Sequence, residues 1–105
     1  MILFKPEHVP MILSGRKIET RRDWKSWRAR VGSIHKAKTE MMSRNYFALI
    51  EVLERWEERL GDISDESIHN EGYDSREAYE AKFREIYGYW NPDQVVRVIK
   101  LRVVT

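Results

Sequence analysis

The sequence lacks cysteine entirely, contains only three prolines and five glycines, and has no long apolar run. Without cysteine the chain cannot form a disulfide, a thiolate metal site or a cysteine nucleophile. A membrane-spanning helix needs about 20 consecutive apolar residues, and a signal peptide needs an apolar core near the N-terminus; neither pattern occurs. These absences predict a cytoplasmic protein without membrane contact.

The sequence also lacks the patterns of a metal site and of a phosphate-binding loop. The three histidines, His8, His35 and His69, are scattered and show no metal-ligand spacing. The glycines are isolated, so no glycine-rich loop is available to cradle a phosphate. We therefore expect neither a metal nor a cofactor.

The chain is heavily charged but nearly balanced. Charged residues make up 34% of the sequence, and the formal net charge is +2. Lys and Arg concentrate in residues 16–38, and Asp and Glu concentrate in residues 51–85. Such a chain can present a basic surface without a high net charge. Its length suits one domain spanning residues 1–105, and we do not expect an oligomer.

Hydrophobic periodicity predicts an α+β domain in which strands outnumber helices. The predicted strands cover residues 1–4, 18–23, 33–41, 46–53 and 95–104, with the fourth continuing towards residue 56. Short helices are predicted at 9–14 and 65–70, and a longer one, with a capping-box spacing from Asp74 to Glu77, stops at Gly88. This order favours a small mixed β-barrel with helices packed on one side, in which the last strand pairs with an early one.

The segment Ser14–Arg22 is unusually basic and directly follows a predicted helix. Alternate residues of a strand face opposite sides, so Thr20 and Arg22 share one face. Lys17 precedes the strand and can still converge on Thr20 from the turn. Two interpretations remain open: a charged strand that faces water, which is the commoner case, and a pocket for an anion or a polarised base.

Three residues of this segment resemble the Gly-x-Lys-x-x-Glu-x-Arg signature of the ASCH domain, a relative of the RNA-binding PUA domains. Gly15, Lys17 and Arg22 match it, whereas Thr20 occupies the glutamate position. The stretches HVPMILSGRK, YFALIEV and VVRVIKLRVV also fall where that family has its elements. The resemblance implies a single ASCH domain with a PUA-like barrel, and RNA or a modified nucleoside as its partner.

With threonine at this position, the sequence resembles a subgroup of small ASCH proteins that are amidohydrolases acting on acetylcytidine. They carry a lysine and a threonine at this spacing and a glutamate further along, which implies Lys17, Thr20 and Glu71 as catalytic residues here. A threonine hydroxyl needs a base, and a lysine can serve if burial or nearby cations lower its pKa. A glutamate can hold the substrate or shuttle protons. Each residue also has a purely structural interpretation: Thr20 as an ordinary strand residue, Lys17 as a solvated lysine and Glu71 as a carboxylate at the end of a helix.

Basic residues interleaved with two tryptophans follow, from Trp24 to Arg30. Cations bind phosphates and rings stack on exposed bases, so this pattern suits nucleic acid. Alternatively, one tryptophan fills the end of the barrel while the arginines are solvated. The predicted ligand-binding residues are Gly15, Arg16, Arg21, Arg22, Trp24, Lys25, Trp27, Arg28, Lys36 and Lys38.

Three functions remain open at this point. The first, slightly favoured, is a module that binds RNA or a modified nucleoside in a basic cleft. The second is an amidohydrolase that uses Lys17, Thr20 and Glu71. The third is a protein-interaction domain without a nucleic acid partner.

Overall fold

The computed structural model describes residues 1–104 and has the predicted α+β architecture. Its strands are β1 (Ile2–Leu3), β2 (Glu19–Arg22), β3 (Ile34–Lys38), β4 (Ala48–Arg59) and β5 (Val95–Val103). Its helices are α1 (Val9–Leu13), α2 (Asp65–Asn70) and α3 (Arg76–Tyr87), with short 3₁₀ turns at Pro6–His8 and Leu60–Asp62. None of the helices within residues 1–104 is long and apolar enough to span a membrane.

The five strands form one curled, half-barrel sheet in the order β1-β3-β4-β5-β2. The pairing of β1 with β3 is parallel, and the other three pairings are antiparallel. The last strand lies beside the early strand β2, as the sequence predicts. The predicted small mixed β-barrel type is therefore confirmed, with β2, the strand of the basic segment, at one edge of the sheet.

Strand β4 is longer than its apolar stretch suggests. Its register against β5 shifts between Val52 and Glu54, which marks a β-bulge, and Leu53 at that point is exposed. A bulge changes the face on which later side chains lie, so simple alternation stops there. The strand nevertheless runs on to Arg59 because β5 continues to pair with it.

The core consists of two apolar clusters on either side of β5. One lies inside the curled sheet and contains Ile2, Phe4, Ile12, Ala29, Ala37, Ala48, Ile50, Val52, Ile99 and Leu101. The other lies under α3 and contains Leu60, Ile63, Ile68, Tyr79, Phe83, Val96 and Val98. Because β5 contributes to both clusters, it is buried on both faces and fixes the sheet against α3.

Each of the two later helices begins at a serine cap. The Oγ atom of Ser64 accepts a hydrogen bond from the Ser67 amide, and Ser75 Oγ accepts one from the Ala78 amide. The cap of α3 is thus Ser75, one residue after the predicted capping-box position at Asp74, because a serine hydroxyl reaches the free amides of the first turn equally well. Gly88 ends α3 in the left-handed conformation, as predicted.

The chain after α2 is held against the start of β2. The Ile18 amide donates to the Asn70 carbonyl at 2.8 Å, and Gly72 has a φ of +106°. L side chains rarely adopt this φ, so the turn favours glycine, and a Cβ atom there would also lie 2.8 Å from Met11 Sδ. The packing brings Glu71, the last residue before this glycine, alongside the predicted catalytic segment.

Candidate active site

A cavity of about 340 Å³ lies between β2 and α3. Lys17, Thr20 and Glu71 all line it, so the structure brings the three predicted catalytic residues to one concave surface. The lining also includes five aromatic rings, those of Phe4, Tyr73, Tyr79, Phe83 and Tyr87. The cavity therefore combines polar and charged groups with aromatic side chains, which is typical of small-molecule sites.

Lys17 is buried, with 2% of its surface exposed. Its Nζ atom donates to Glu71 Oε1 at 2.6 Å, to the Glu71 carbonyl at 3.1 Å and to the Glu19 carbonyl at 2.9 Å. Burial lowers the pKa of Lys17, and the Glu71 carboxylate raises it. The nearby cations Arg22 and Arg21 lower the pKa further, so that it is lowered overall. Lys17 is thus a lysine whose neutral form is more accessible than that of a solvated amine.

Thr20 is buried in β2 and its hydroxyl oxygen is already hydrogen-bonded. Arg22 Nε donates to Thr20 Oγ1 at 3.1 Å, and the Arg22 guanidinium lies 4.8 Å from the centre of the Phe4 ring. A cation that donates to the oxygen stabilises negative charge on it, and it leaves the hydroxyl proton free for another acceptor. Arg22, itself a lining residue, has a pKa lowered by burial.

Glu71 lies between two cations. Its Oε1 accepts from Lys17, and its Oε2 accepts from Arg21 Nη1 at 3.1 Å. Arg21 also donates to Glu19 Oε1 at 3.0 Å and to Glu58 Oε1, so a buried group of charges extends from the cavity to β4. Burial disfavours the charge of Arg21, yet Glu71 and Glu58 raise its pKa overall.

His8 and Tyr73 form a neutral pair elsewhere on the cavity wall. His8 Nε2 and the Tyr73 hydroxyl are 2.8 Å apart. Burial, reinforced by the Lys17 cation, lowers the pKa of His8 to about 4, and burial raises the pKa of Tyr73 to about 12. No local pattern in the sequence indicates this pair, because only the packing of the Pro6–His8 turn against residues after α2 brings the two side chains together.

Two predicted ligand-binding residues near the motif lie outside this cavity. Gly15 borders a separate shallow groove beside the end of β5. Arg16 donates to the His69 carbonyl and to Asp74 Oδ1, the latter at 3.0 Å. Arg16 therefore ties the basic segment to α2, whereas Arg21 and Arg22 line the cavity.

The tryptophan-rich segment also lies apart from the cavity. Trp24 and Trp27 are half-buried against the core, as the alternative interpretation expects for at least one of them. The guanidiniums of Arg55 and Arg97 lie 4.6 and 5.5 Å from the Trp27 ring centre. Trp27 lines a second groove, of about 520 Å³, with Arg28, Ala29, Arg30, Ser33, His35 and Arg55.

The remaining basic residues of the predicted binding surface line neither the Lys17 cavity nor the groove at Trp27. Lys25 and Lys36 are exposed, and Lys36 Nζ lies 5.3 Å from the Tyr46 ring centre. Lys38 Nζ donates to the Ser43 carbonyl at 2.6 Å. Within the part of the chain that the structure describes, no group of three or more His, Cys, Asp or Glu residues could hold a metal ion.

Comparison with known proteins relates this chain to solved ASCH domains. An ASCH domain from Lactobacillus crispatus superposes with a TM-score of 0.74 at 14% identity, covering 91% of this chain and 69% of its own. A protein from Enterococcus faecalis, assigned to a family of unknown function, gives 0.71 at 15% identity, covering 93% and 67%. An ASCH protein from Zymomonas mobilis gives 0.66 at 16% identity, covering 96% and 64%.

The chain thus spans about two thirds of the length of these structures. No protein-family model and no curated protein matches it. At these identities the likeness shows the fold, and the chain has the fold of an ASCH domain.

Proposed function

We propose that this chain, which has the ASCH fold, is an amidohydrolase that removes an acyl group from the exocyclic amine of a cytidine nucleoside. One observation carries the proposal: Lys17, Thr20 and Glu71 line the same cavity, with Lys17 and Glu71 in a buried ion pair of 2.6 Å. Buried ionisable groups are costly unless they are paired, and groups with perturbed pKa values are enriched at active sites.

The shape and lining of the cavity support a nucleoside rather than a long nucleic acid as the substrate. Its volume of about 340 Å³ falls in the range of small-molecule sites. Aromatic side chains such as Phe4 and Tyr87 provide faces on which a pyrimidine ring can stack. The half-buried Arg22 adds a donor for a carbonyl oxygen on the base.

The reaction begins with Thr20 as the nucleophile. Its Oγ attacks the acyl carbonyl carbon while its proton passes to the neutral amine of Lys17, which gives a tetrahedral oxyanion. The bond from carbon to the exocyclic nitrogen then breaks, and the Lys17 ammonium returns the proton to that nitrogen as cytidine leaves. Water then attacks the threonine ester while Lys17 accepts its proton; the bond from carbon to Thr20 Oγ breaks, Lys17 returns the proton to that oxygen, and the carboxylic acid is released.

Glu71 and Arg22 assist these steps without bonding to the acyl group. Glu71 holds the amine of Lys17 in place and takes up the proton that Lys17 must lose before it acts as a base. Arg22 donates to Thr20 Oγ1, and this charge-assisted hydrogen bond stabilises the oxygen as its proton departs. Both roles follow from contacts that exist before substrate binds.

The direct test is turnover by the wild-type protein. Incubation with acetylcytidine is expected to release free cytidine and acetate in equal amounts, each measured by chromatography. Methylcytidine, which has an amine substituent but no acyl carbonyl, is the matched control and is expected to remain unchanged. If no cytidine is released from acetylcytidine at millimolar concentration, the proposed reaction is wrong for this substrate.

A second candidate function, RNA binding, is favoured by the groove at Trp27. Among residues 1–104 its arginines, Arg28, Arg30 and Arg55, form no ion pair, whereas Arg59, Arg76 and Arg102 each do. Unpaired cations beside a tryptophan ring suit the phosphates and bases of a single strand.

Titration of a labelled single-stranded RNA at several salt concentrations tests this candidate. Each phosphate contact adds about 0.7 to the slope of log affinity against log salt, so Arg28→Gln and Arg30→Gln are each expected to reduce the slope by about that amount. Arg59→Gln, an arginine outside the groove, is the control. Absence of binding, or an affinity independent of salt, would contradict RNA binding.

A further inference from the structure

The buried charges behind the cavity form a chain of contacts that crosses from β4 to the proposed base. Glu58 on β4 accepts from Arg21, Arg21 donates to Glu71, and Glu71 accepts from Lys17. The Arg21 side chain is 0% exposed, and Glu58 is 18% exposed. Glu58 does not line the cavity, so this chain of contacts links the proposed active site to a carboxylate that the substrate does not touch.

The two oxygens of Glu71 are divided between two cations. Oε1 bonds to Lys17 and Oε2 bonds to Arg21, so the two compete for one carboxylate. Arg21 is in turn shared with Glu19 and Glu58, and Asn70 Nδ2 holds the other oxygen of Glu19 at 2.7 Å. The negative charge of Glu58 partly neutralises the positive charge of Arg21, so Arg21 offsets the charge of Glu71 less. The Glu71 carboxylate then stabilises the protonated form of Lys17 more strongly.

We propose that Arg21 is a positioning residue that holds Glu71 against Lys17 and couples the charge of Glu58 to that pair. The consequence for catalysis rests on the proposed function, because it requires Lys17 to act as a base. The coupling itself is a property of the folded protein and can be measured without substrate. In this arrangement Glu58 favours the protonated form of Lys17, although the two side chains are joined only through Arg21 and Glu71.

Several other groups face the Lys17–Glu71 pair, and their charges bear on the same equilibrium. Besides Arg21 they are Arg22 from β2, His8 from the first 3₁₀ turn, Tyr73 after α2, and Tyr79 and Tyr87 from α3, while the Glu19 carboxylate reaches the pair only through Arg21. Burial raises the pKa of all three tyrosines and lowers that of His8 to about 4, so these four are neutral at pH 7. Glu58 does not line the cavity, so its charge can be removed without altering the cavity wall.

Glu58→Gln is the variant that tests the coupling. Glutamine keeps the shape of the side chain, and its oxygen can still accept from Trp56 Nε1, which bonds to Glu58 Oε1 at 2.9 Å. The Lys17 amine is followed by NMR of protein labelled on lysine side chains, with its signal assigned by its loss in Lys17→Met. Glu58→Gln is expected to lower the pH midpoint of this signal by about half a unit, since a negative charge is removed.

The control is Glu57→Gln, the same change at the neighbouring position of β4. Glu57 is exposed and its ion pair is with Arg97, at 3.4 Å, outside the buried group. It is expected to leave the Lys17 midpoint unchanged. If Glu58→Gln leaves the midpoint where Glu57→Gln leaves it, the inference is wrong.

Turnover separates this inference from the proposed function. If Lys17 is the base, the acid limb of the kcat/KM profile is expected to move to lower pH in Glu58→Gln by the same amount as the NMR midpoint. A midpoint that shifts in a protein without turnover would support the coupling and contradict the amidohydrolase. An active protein whose midpoint does not shift in Glu58→Gln would support the amidohydrolase and contradict the coupling.

Discussion

Replacing Lys17 with methionine is expected to reduce kcat/KM for acetylcytidine by about a thousandfold while the protein remains folded. General acid–base catalysis contributes roughly 10²- to 10⁴-fold, and Lys17 is the group proposed to move the proton in both steps. Folding survives because methionine has a similar length and no polar group to bury. Glu71 also keeps its hydrogen bond from Arg21 Nη1, so its carboxylate is not left unpaired.

Lys100→Met is the matched control for this prediction. Lys100 lies on β5, is partly buried and pairs with Glu54 at 3.5 Å, away from the cavity. Its replacement is expected to leave kcat/KM within about twofold. Circular dichroism of both variants measures folding, and a folded Lys17→Met that keeps more than a tenth of wild-type activity would refute the role of Lys17 as the base.

Arg21→Met is expected to destabilise the protein by about 3 to 5 kcal/mol, the largest stability effect we foresee. Removing one partner from a buried ion pair has a cost of this size because the other charge is left without compensation. Here Glu19 and Glu58 lose the only cation that each pairs with among residues 1–104, and Glu71 keeps Lys17 alone. Urea denaturation of the variant measures the change in the free energy of unfolding.

Arg59→Met provides the contrast. Arg59 also pairs with two carboxylates, those of Asp62 and Asp93, but all three side chains are exposed. Water already screens these charges, so the free energy of unfolding is expected to change little. Equal losses in Arg21→Met and Arg59→Met would show that burial of the Arg21 contacts contributes nothing to stability.

The sequence predicts the elements around the cavity well because their signals are local. Apolar runs mark β5, and Gly88 marks the end of α3. The alternation of β2 also holds, since Arg22 bonds to Thr20 on one face and Arg21 bonds to Glu19 on the other. Features that depend on residues close together in the sequence can therefore be predicted from the sequence.

The contacts behind the cavity are not predictable in the same way. Glu58 reaches Arg21 across 37 positions of sequence, and the bulge near Leu53 removes the periodicity that would have assigned Glu58 to a face. The pairing of His8 with Tyr73 spans 65 positions. Such contacts depend on how β4 and the turns pack, and no local pattern encodes that packing.

The tryptophan-rich segment illustrates the limit for surfaces. Its composition suits nucleic acid, yet Trp24 and Trp27 also pack on the core, and composition cannot separate the two roles. The structure separates that segment from the Lys17 cavity by bringing Trp27 together with Arg55, a residue of β4. The proposed binding groove and the proposed catalytic cavity are thus distinct places on the molecule.

The most direct measurement compares the turnover of acetylcytidine by Thr20→Val with that by Thr39→Val. Both threonines line the cavity, and valine preserves the branched shape while removing the hydroxyl. We expect Thr20→Val to lose about a thousandfold or more of kcat and Thr39→Val to stay close to wild type. Comparable activity in the two variants would contradict the claim that Thr20 is the nucleophile of this cavity.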